Sequence, residues 1–275
     1  MLINISDANV SYFLGLLITD GSIYINRKNP NKGKITIELK YDDKFTLENM
    51  INLFPFPSSL YTRIRSTNFS KNYKTITWNC SQKEMRDWLM SINIPCGKKS
   101  QTIKYVQGAF KKHFWRGVID GDGSLGFTKD GLPFISLVTA SEQLRNDYLE
   151  YIHSVTGKKF NPQRNVRDGV YNILILKENA VLLAENLYPV GEYNFIPRKK
   201  QMANKIQEWK RPDTMRSSLN IQKWDESQDK IVLENTCSTA MELLNRSKAS
   251  ILCRKRRLKA FKSSNQSDVV VYTNE

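Results

Sequence analysis

Apolar and polar residues alternate through residues 22–26 and 34–40, where isoleucines and a leucine hold every second position. A period of two belongs to strands with one face buried and one face free. Residues 43–54 then carry apolar groups at helical spacing, residues 60–65 and 73–80 return to strand character, and residues 81–92 read as a helix that stops before Pro95. The order recurs further along, with strands at 124–128 and 134–139, a helix at 141–155, strands at 160–166 and 170–176, and a helix at 178–187. Counting the apolar segment before each strand pair, each half reads helix, two strands, helix, two strands, helix. The predicted class is α+β, with antiparallel sheets covered by helices on one face.

The halves share more than element order. Residues 12–22 and 114–124 align at an offset of 102, which places Gly15 on Gly117, Asp20 on Asp122, Gly21 on Gly123 and Ser22 on Ser124. Internal repetition of this kind fixes architecture. A helix that ends in Asp-Gly sets a carboxylate at its negative end, with a glycine able to turn into the left-handed region. A bound cation would remove that electrostatic conflict. Glycine inside a helix costs about 1 kcal/mol against alanine, a cost that close helix–helix contact would explain at Gly15 and Gly117. Packed side by side, the two helices bring Asp20 and Asp122 to the same end. A pair of acids there suits a hard cation such as Mg²⁺, with water and phosphate oxygens completing its shell.

These segments resemble the paired LAGLIDADG motifs of homing endonucleases, and the resemblance spans residues 7–207. It implies a metal-dependent, site-specific double-strand DNA endonuclease built from two pseudo-twofold αββαββα halves, 1–104 and 105–209. Such an enzyme acts as a monomer, cuts across the minor groove and leaves short 3′ overhangs. The resemblance makes Asp20 and Asp122 ligands for Mg²⁺ or another divalent cation such as Mn²⁺, with the backbone carbonyls of Thr19 and Gly121 as helpers. Basic groups beside the family's active site match Lys98 or Lys99 in the first half and Arg198 or Lys199 in the second. A basic loop that touches the DNA backbone generally is the other reading of those four. Asp120 aligns with Ile18 and breaks the symmetry, which suits a cap or packing role. Arg116 stands where the family has a small residue, and so bears on packing of the helix pair.

The free face of the first sheet is expected to carry Tyr24, Asn26, Lys34, Thr36, Glu38 and Lys40, then Arg63, Arg65, Tyr73, Thr75, Thr77 and Asn79. Polar and basic groups at every second position suit base edges and phosphates in a groove. In the second half Phe134 and Val138 fall on the corresponding face, which leaves its register open. Two halves of about 30 Å each would cover about 18 base pairs. Because the outer faces differ, the target should be asymmetric.

Beyond residue 209 the pattern changes. Residues 210–222 read as a linker and 223–262 as three short helices, the last combining Ile251, Leu252, Leu258 and Phe261 with a run of four cations from Arg254 to Arg257. This resembles a helix-turn-helix or Myb-like module, with Lys248, Ser250, Arg254 and Arg257 directed at a major groove. A basic helix without sequence preference is the alternative. Residues 263–275 should fray.

Charge sharpens the choice of partner. Lys and Arg total 42 against 27 Asp and Glu, a net +15, which favours a polyanion: double-stranded DNA first, and intron RNA in a maturase reading. Only two histidines are present, and Cys80, Cys96, Cys237 and Cys253 form no CxxC pair, which excludes zinc-finger chemistry. The apolar N-terminal run is broken by Gly15, Thr19 and Asp20 and reads neither as a signal peptide nor as a membrane span. An intracellular protein with no membrane partner is expected. An intein is disfavoured, because the chain ends in Thr-Asn-Glu. A DNA-binding regulator remains open, although regulators that keep the domain lack the acidic pair.

Overall fold

The computed structural model describes residues 3–66, 72–213, 215 and 224–266. It divides into two compact units, residues 1–211 and 212–275.

The first unit opens with helix α1 (Ala8–Asp20), whose start is set by Asp7: the side chain accepts from the amides of Asn9 and Val10. Every residue from Val10 to Ile18 is buried, so α1 is a central rather than an amphipathic helix. It runs directly into β1 (Gly21–Ile25), followed by β2 (Gly33–Lys40), a 3₁₀ turn (Tyr41–Asp43), α2 (Lys44–Glu48), β3 (Ser59–Arg65), β4 (Tyr73–Cys80) and α3 (Lys83–Ser91). These strands form one antiparallel sheet in the order β1-β2-β4-β3.

The second half repeats the plan with α4 (Lys111–Asp122), β5 (Gly123–Phe127), β6 (Pro133–Thr139), α5 (Glu142–Thr156), β7 (Tyr171–Leu176), α6 (Glu178–Leu187) and α7 (Pro197–Gln207). Helix α5 has both caps its sequence offers, the Ser141 hydroxyl accepting from Leu144 and Gly157 in the left-handed region at φ 69°. The sheet is three-stranded, β5-β6-β7. The strand expected at 160–166 is reduced to a single bridge between Arg164 and Tyr171. Pro162 cannot donate to a ladder, and Asn165 closes a turn with Gly169 and Val170. The helix expected at 43–54 is shorter too. It gives way to turns at Asn49, where two asparagines within four residues weaken helix propensity and Pro55 lies beyond.

One continuous core joins the halves. Phe13 meets Phe54 and Trp78 edge-on, while Trp115 packs against Tyr148 and Tyr151. Helices α1 and α4 cross at its centre in backbone contact. A Cβ placed on Gly15 would lie 2.0 Å from the Phe114 carbonyl oxygen, and one on Gly117 would lie 2.2 Å from that of Tyr12. Tyr12 aligns with Phe114 in the repeat, so the contact is reciprocal, as a pseudo-twofold axis requires.

Gly21 and Gly123 serve differently from the expectation. Both have extended backbone, φ −86° and −78°, rather than the left-handed conformation. What they need is space: a Cβ would meet the Leu17 carbonyl at 2.4 Å and the Ile119 carbonyl at 2.6 Å, because each chain turns from helix into strand with no connecting residue.

The second unit holds α8 (Glu226–Glu234), α9 (Cys237–Leu244) and α10 (Lys248–Gln266) around Val232, Ala240 and Ile251. Its last helix continues to Gln266, past the point where fraying was expected. Most of the predicted linker, and the Phe261 side chain, lie outside the described residues. Among the described residues no helix is long and apolar enough to cross a membrane. All four cysteines are free thiols.

Candidate functional site

The paired helices deliver Asp20 and Asp122 to one end of the first unit. Both residues are exposed to solvent, yet protein crowds their carboxyl groups enough to desolvate them in part. Partial desolvation, reinforced by the charge of Asp122, pushes the Asp20 carboxyl up to about 6. Asp122 is raised as well, through desolvation, against the pull of Lys199 and Lys99. Two carboxyls that disfavour each other's ionisation form a site in want of positive charge.

Lys99 and Lys199 supply part of it. Lys99 Nζ donates to the Leu17 carbonyl in the last turn of α1. Lys199 Nζ donates to the carbonyls of Ile119 (2.7 Å), Asp120 (2.6 Å), Gly121 (3.2 Å) and Gly123 (2.8 Å) at the end of α4. Leu17 and Ile119 are equivalent in the repeat, so each lysine caps the C-terminus of one motif helix, where a cation is favoured. Burial lowers both ammonium groups to about 8. Of the four basic residues anticipated, the structure brings these two to the centre. Lys98 is exposed on the same loop, and Arg198 is drawn to Asp43 by a 3.1 Å hydrogen bond.

Asp120 is fully buried. It accepts from Tyr12 (2.7 Å), Tyr188 (2.6 Å) and the amide of Ile196 (2.9 Å), the residue that precedes α7. The acid outside the symmetry therefore fastens α1, α4 and the start of the helix that carries Lys199. Arg116 lies over the Tyr12 ring of α1, 5.4 Å from its centre, and reaches on into the 187–194 segment, donating to the carbonyls of Asn194 (2.7 Å) and Leu187 (2.9 Å) and to Glu192 (2.7 Å). A buried cation so fully satisfied is costly to delete: Arg116→Met is expected to lower stability by about 3–5 kcal/mol, read from the urea unfolding midpoint.

Structures already solved resemble this fold. The homing endonuclease I-WcaI bound to its DNA recognition sequence matches over 74% of this chain and 88% of its own, with a TM-score of 0.50 at 14% identity. This is the LAGLIDADG homing-endonuclease fold. A complex of I-DmoI with its target DNA matches 67% of this chain and 97% of its own (TM-score 0.45, 14% identity). The N-terminal LAGLIDADG domain of WhiA matches 73% and 90% (TM-score 0.44, 14% identity). No family model and no curated protein matches the sequence.

The LAGLIDADG sheets present unlike outer faces. In the first, the strand register sets Thr36, Glu38 and Lys40 beside Asn79, Thr77 and Thr75, and these beside Ser59, Tyr61 and Arg63. The expected residues do share one face, but Thr75 and Thr77 are buried, since they lie on a central strand beneath longer neighbours. Glu38 and Arg65 pair at 3.0 Å, Lys40 pairs with Asp42, and Arg65 lies over the Tyr73 ring. Asn26 spends its side-chain oxygen on the β1–β2 turn, accepting from Lys28 and Asn29. Tyr24, Lys34 and Arg63 remain exposed. Tyr61 and the hairpin residues Arg27, Lys28 and Lys32 are exposed too and were missed. Tyr61 was legible, standing two residues before Arg63 on a strand of period two.

The second LAGLIDADG sheet turns Phe134, Ser136 and Val138 outward beside Leu176, Leu174 and Asn172. Val138 and Leu174 are about half exposed, and the outward positions of these two strands include no lysine or arginine. Apart from the LAGLIDADG unit, the basic run of α10 is partly consumed within its own module. Arg254 binds Asp229 through two hydrogen bonds of 2.6 and 2.7 Å, and Ser250 is half-buried, so neither projects freely as expected. Lys248 and Arg257 are exposed.

Proposed function

We propose that the chain is a metal-dependent, site-specific double-strand DNA endonuclease. The observation that carries the reading is the pairing of Asp20 and Asp122 at the abutting ends of two helices, flanked by Lys99 and Lys199. Among the described residues no group of three or more His, Cys, Asp and Glu side chains could hold a metal. Two carboxylates still suit a hard cation that keeps several waters and shares phosphate oxygens. Asp20 and Asp122 would hold Mg²⁺ or Mn²⁺, with the Thr19 and Gly121 carbonyls as further donors. Bound there, the ion supplies an acidified water and neutralises charge on the phosphate.

The chain's own residues do the rest. Lys99 and Lys199 keep the two helix ends in place and set positive charge beside the scissile phosphate, where charge grows during displacement. Lys34, Arg63 and Tyr24 on the first sheet meet the duplex, and the unlike second face makes the target asymmetric. The helical module adds a second DNA contact of the helix-turn-helix type. Cleavage across the minor groove with short 3′ overhangs follows from the same reading, with the chain acting as a monomer. The acidic pair gives no support to a purely regulatory role.

The test is a randomised duplex library incubated with the protein and Mg²⁺, followed by sequencing of the cut ends. One asymmetric motif with paired cuts is expected, and uncut DNA across the library overturns the proposal. A pH profile adds a second check. The Asp20 carboxyl must be ionised to act as a ligand and titrates near 6. Cleavage at limiting Mg²⁺ is therefore expected to rise as pH climbs through about 6 and to be lost below it. A flat profile between about pH 5 and 7 contradicts the assignment of Asp20.

A further inference from the structure

Helix α10 offers solvent a stripe that its basic run does not foretell. Arg254 is bound to Asp229 and lies 5.6 Å from the centre of the Trp224 ring. Lys255 donates to the Asn235 carbonyl at 2.9 Å, and Ile251 is buried. These groups belong to the interior of the module. The residues left exposed include Lys248, Ala249, Leu252, Cys253 and Arg256. Their spacing of i, i+1, i+4, i+5 and i+8 is that of one helix face.

That face has a definite chemical order, with a cation near each end and three side chains between them that form no strong hydrogen bond. Leu252, at its middle, is 43% exposed. Three residues separate the helix from α9, the first of them Asn245 in the left-handed conformation at φ 47°. This short turn is the connection a helix-turn-helix uses to present the start of its second helix to a groove.

We infer that α10 reads a thymine-bearing subsite in the major groove, with Ala249 and Leu252 against a thymine methyl and Lys248 and Arg256 on the flanking phosphates. The inference rests on the DNA-binding role proposed for the module. Its chemistry follows from the bases. Guanine, adenine and cytosine show hydrogen-bonding groups in the major groove, which alanine and leucine cannot answer. The thymine methyl is the one base-edge group they match. Phosphates on either side suit the two cations, whose contacts position the helix without reading sequence. The sequence-reading set therefore shifts from Arg254 and Ser250 to Ala249 and Leu252.

The experiment uses the full chain with Ca²⁺ replacing Mg²⁺ to limit cutting. Bound duplexes are selected from a random library by the wild type and by the Lys248→Ala/Arg256→Ala double variant. The block of base pairs whose enrichment is lost in the double variant is the module's subsite. Each thymine in it is then replaced by deoxyuridine, which removes only the methyl group. Wild-type affinity is expected to fall about fourfold at one position, the scale of one buried methyl group. Leu252→Ala is expected to bind thymine and deoxyuridine duplexes equally, and Leu252→Met to keep the preference. A subsite without enriched thymine, or one indifferent to deoxyuridine in the wild type, overturns the inference while leaving the endonuclease reading intact. If the library yields no preferred sequence at all, the DNA-recognition reading itself fails, and this inference with it.

Discussion

Asp20→Asn and Asp122→Asn are each expected to abolish double-strand cleavage while leaving duplex affinity within about twofold of the wild type. Asparagine keeps the shape of the side chain and removes the charge that the proposed cation site and the proposed reaction both require. The loss in rate should reach about three orders of magnitude, the scale seen when one group that stabilises transition-state charge is removed. Binding is expected to survive because the proposed duplex contacts Tyr24, Lys34 and Arg63 are strand residues outside the acidic pair. Cleavage assays and gel-shift titrations on the same variants separate the two outcomes. Full cleavage by either variant ends the assignment.

The same pair makes a stability prediction that an ordinary surface acid would not. The Asp20 carboxyl lies near 6 in the folded protein, above its ordinary value of 3.8, so folding favours its protonated form. Below the unfolded value both states hold the proton and the group costs nothing. As pH rises from about 4 to 6 the ionised acid destabilises the fold, and the cost stays constant above that range. Because Asp20 is a solvent-exposed residue, screening holds this cost to the order of 1 kcal/mol. Without divalent metal, Asp20→Asn is expected to melt at or above the wild-type temperature at pH 8 and level with it near pH 4. Adding Mg²⁺ should raise the wild-type melting temperature and leave that of the variant unchanged.

Gly15→Ala should damage the fold more than any surface change. The new Cβ would lie 2.0 Å from the Phe114 carbonyl oxygen, which is backbone and cannot swing aside. The helices must separate, and the core around Phe13, Phe114 and Trp115 opens with them. Overpacking of a core ordinarily costs about 1–3 kcal/mol, and a clash between two backbones belongs at or above the upper end. Gly117→Ala meets the Tyr12 carbonyl at 2.2 Å and should cost a similar amount, because the contact is reciprocal. Urea midpoints measure both. A loss below about 1 kcal/mol in either variant would show that the helix crossing is looser than described.

The lysines separate what a pattern can reveal from what it cannot. Lys98 and Lys99 are adjacent, as are Arg198 and Lys199, and nothing local distinguishes the members of each pair. In the fold Lys99 and Lys199 cap the motif helices, while Arg198 reaches Asp43, 155 residues away. Thr75 and Thr77 show a related limit. Their period placed them on the correct face, but burial on a central strand depends on the side chains beside them, Arg63 and Glu38 among others. The basic run marks Arg254 as a groove contact, but Asp229, 25 residues earlier, holds it within the module. Long charged side chains go where a partner lies, and partners are set in three dimensions.

The chain alone established the repeat, the two Asp-Gly helix ends and the alternation of the strands, because each depends on spacing between near neighbours. It also pointed to an anionic partner through its excess of cations. Only the tertiary structure decided which lysines meet the acids, why Gly21 and Gly123 are glycines, where the fourth strand of the second half is lost and which side of α10 faces outward. Those outcomes turn on distances between segments far apart along the chain, and such distances exist only once the core has closed.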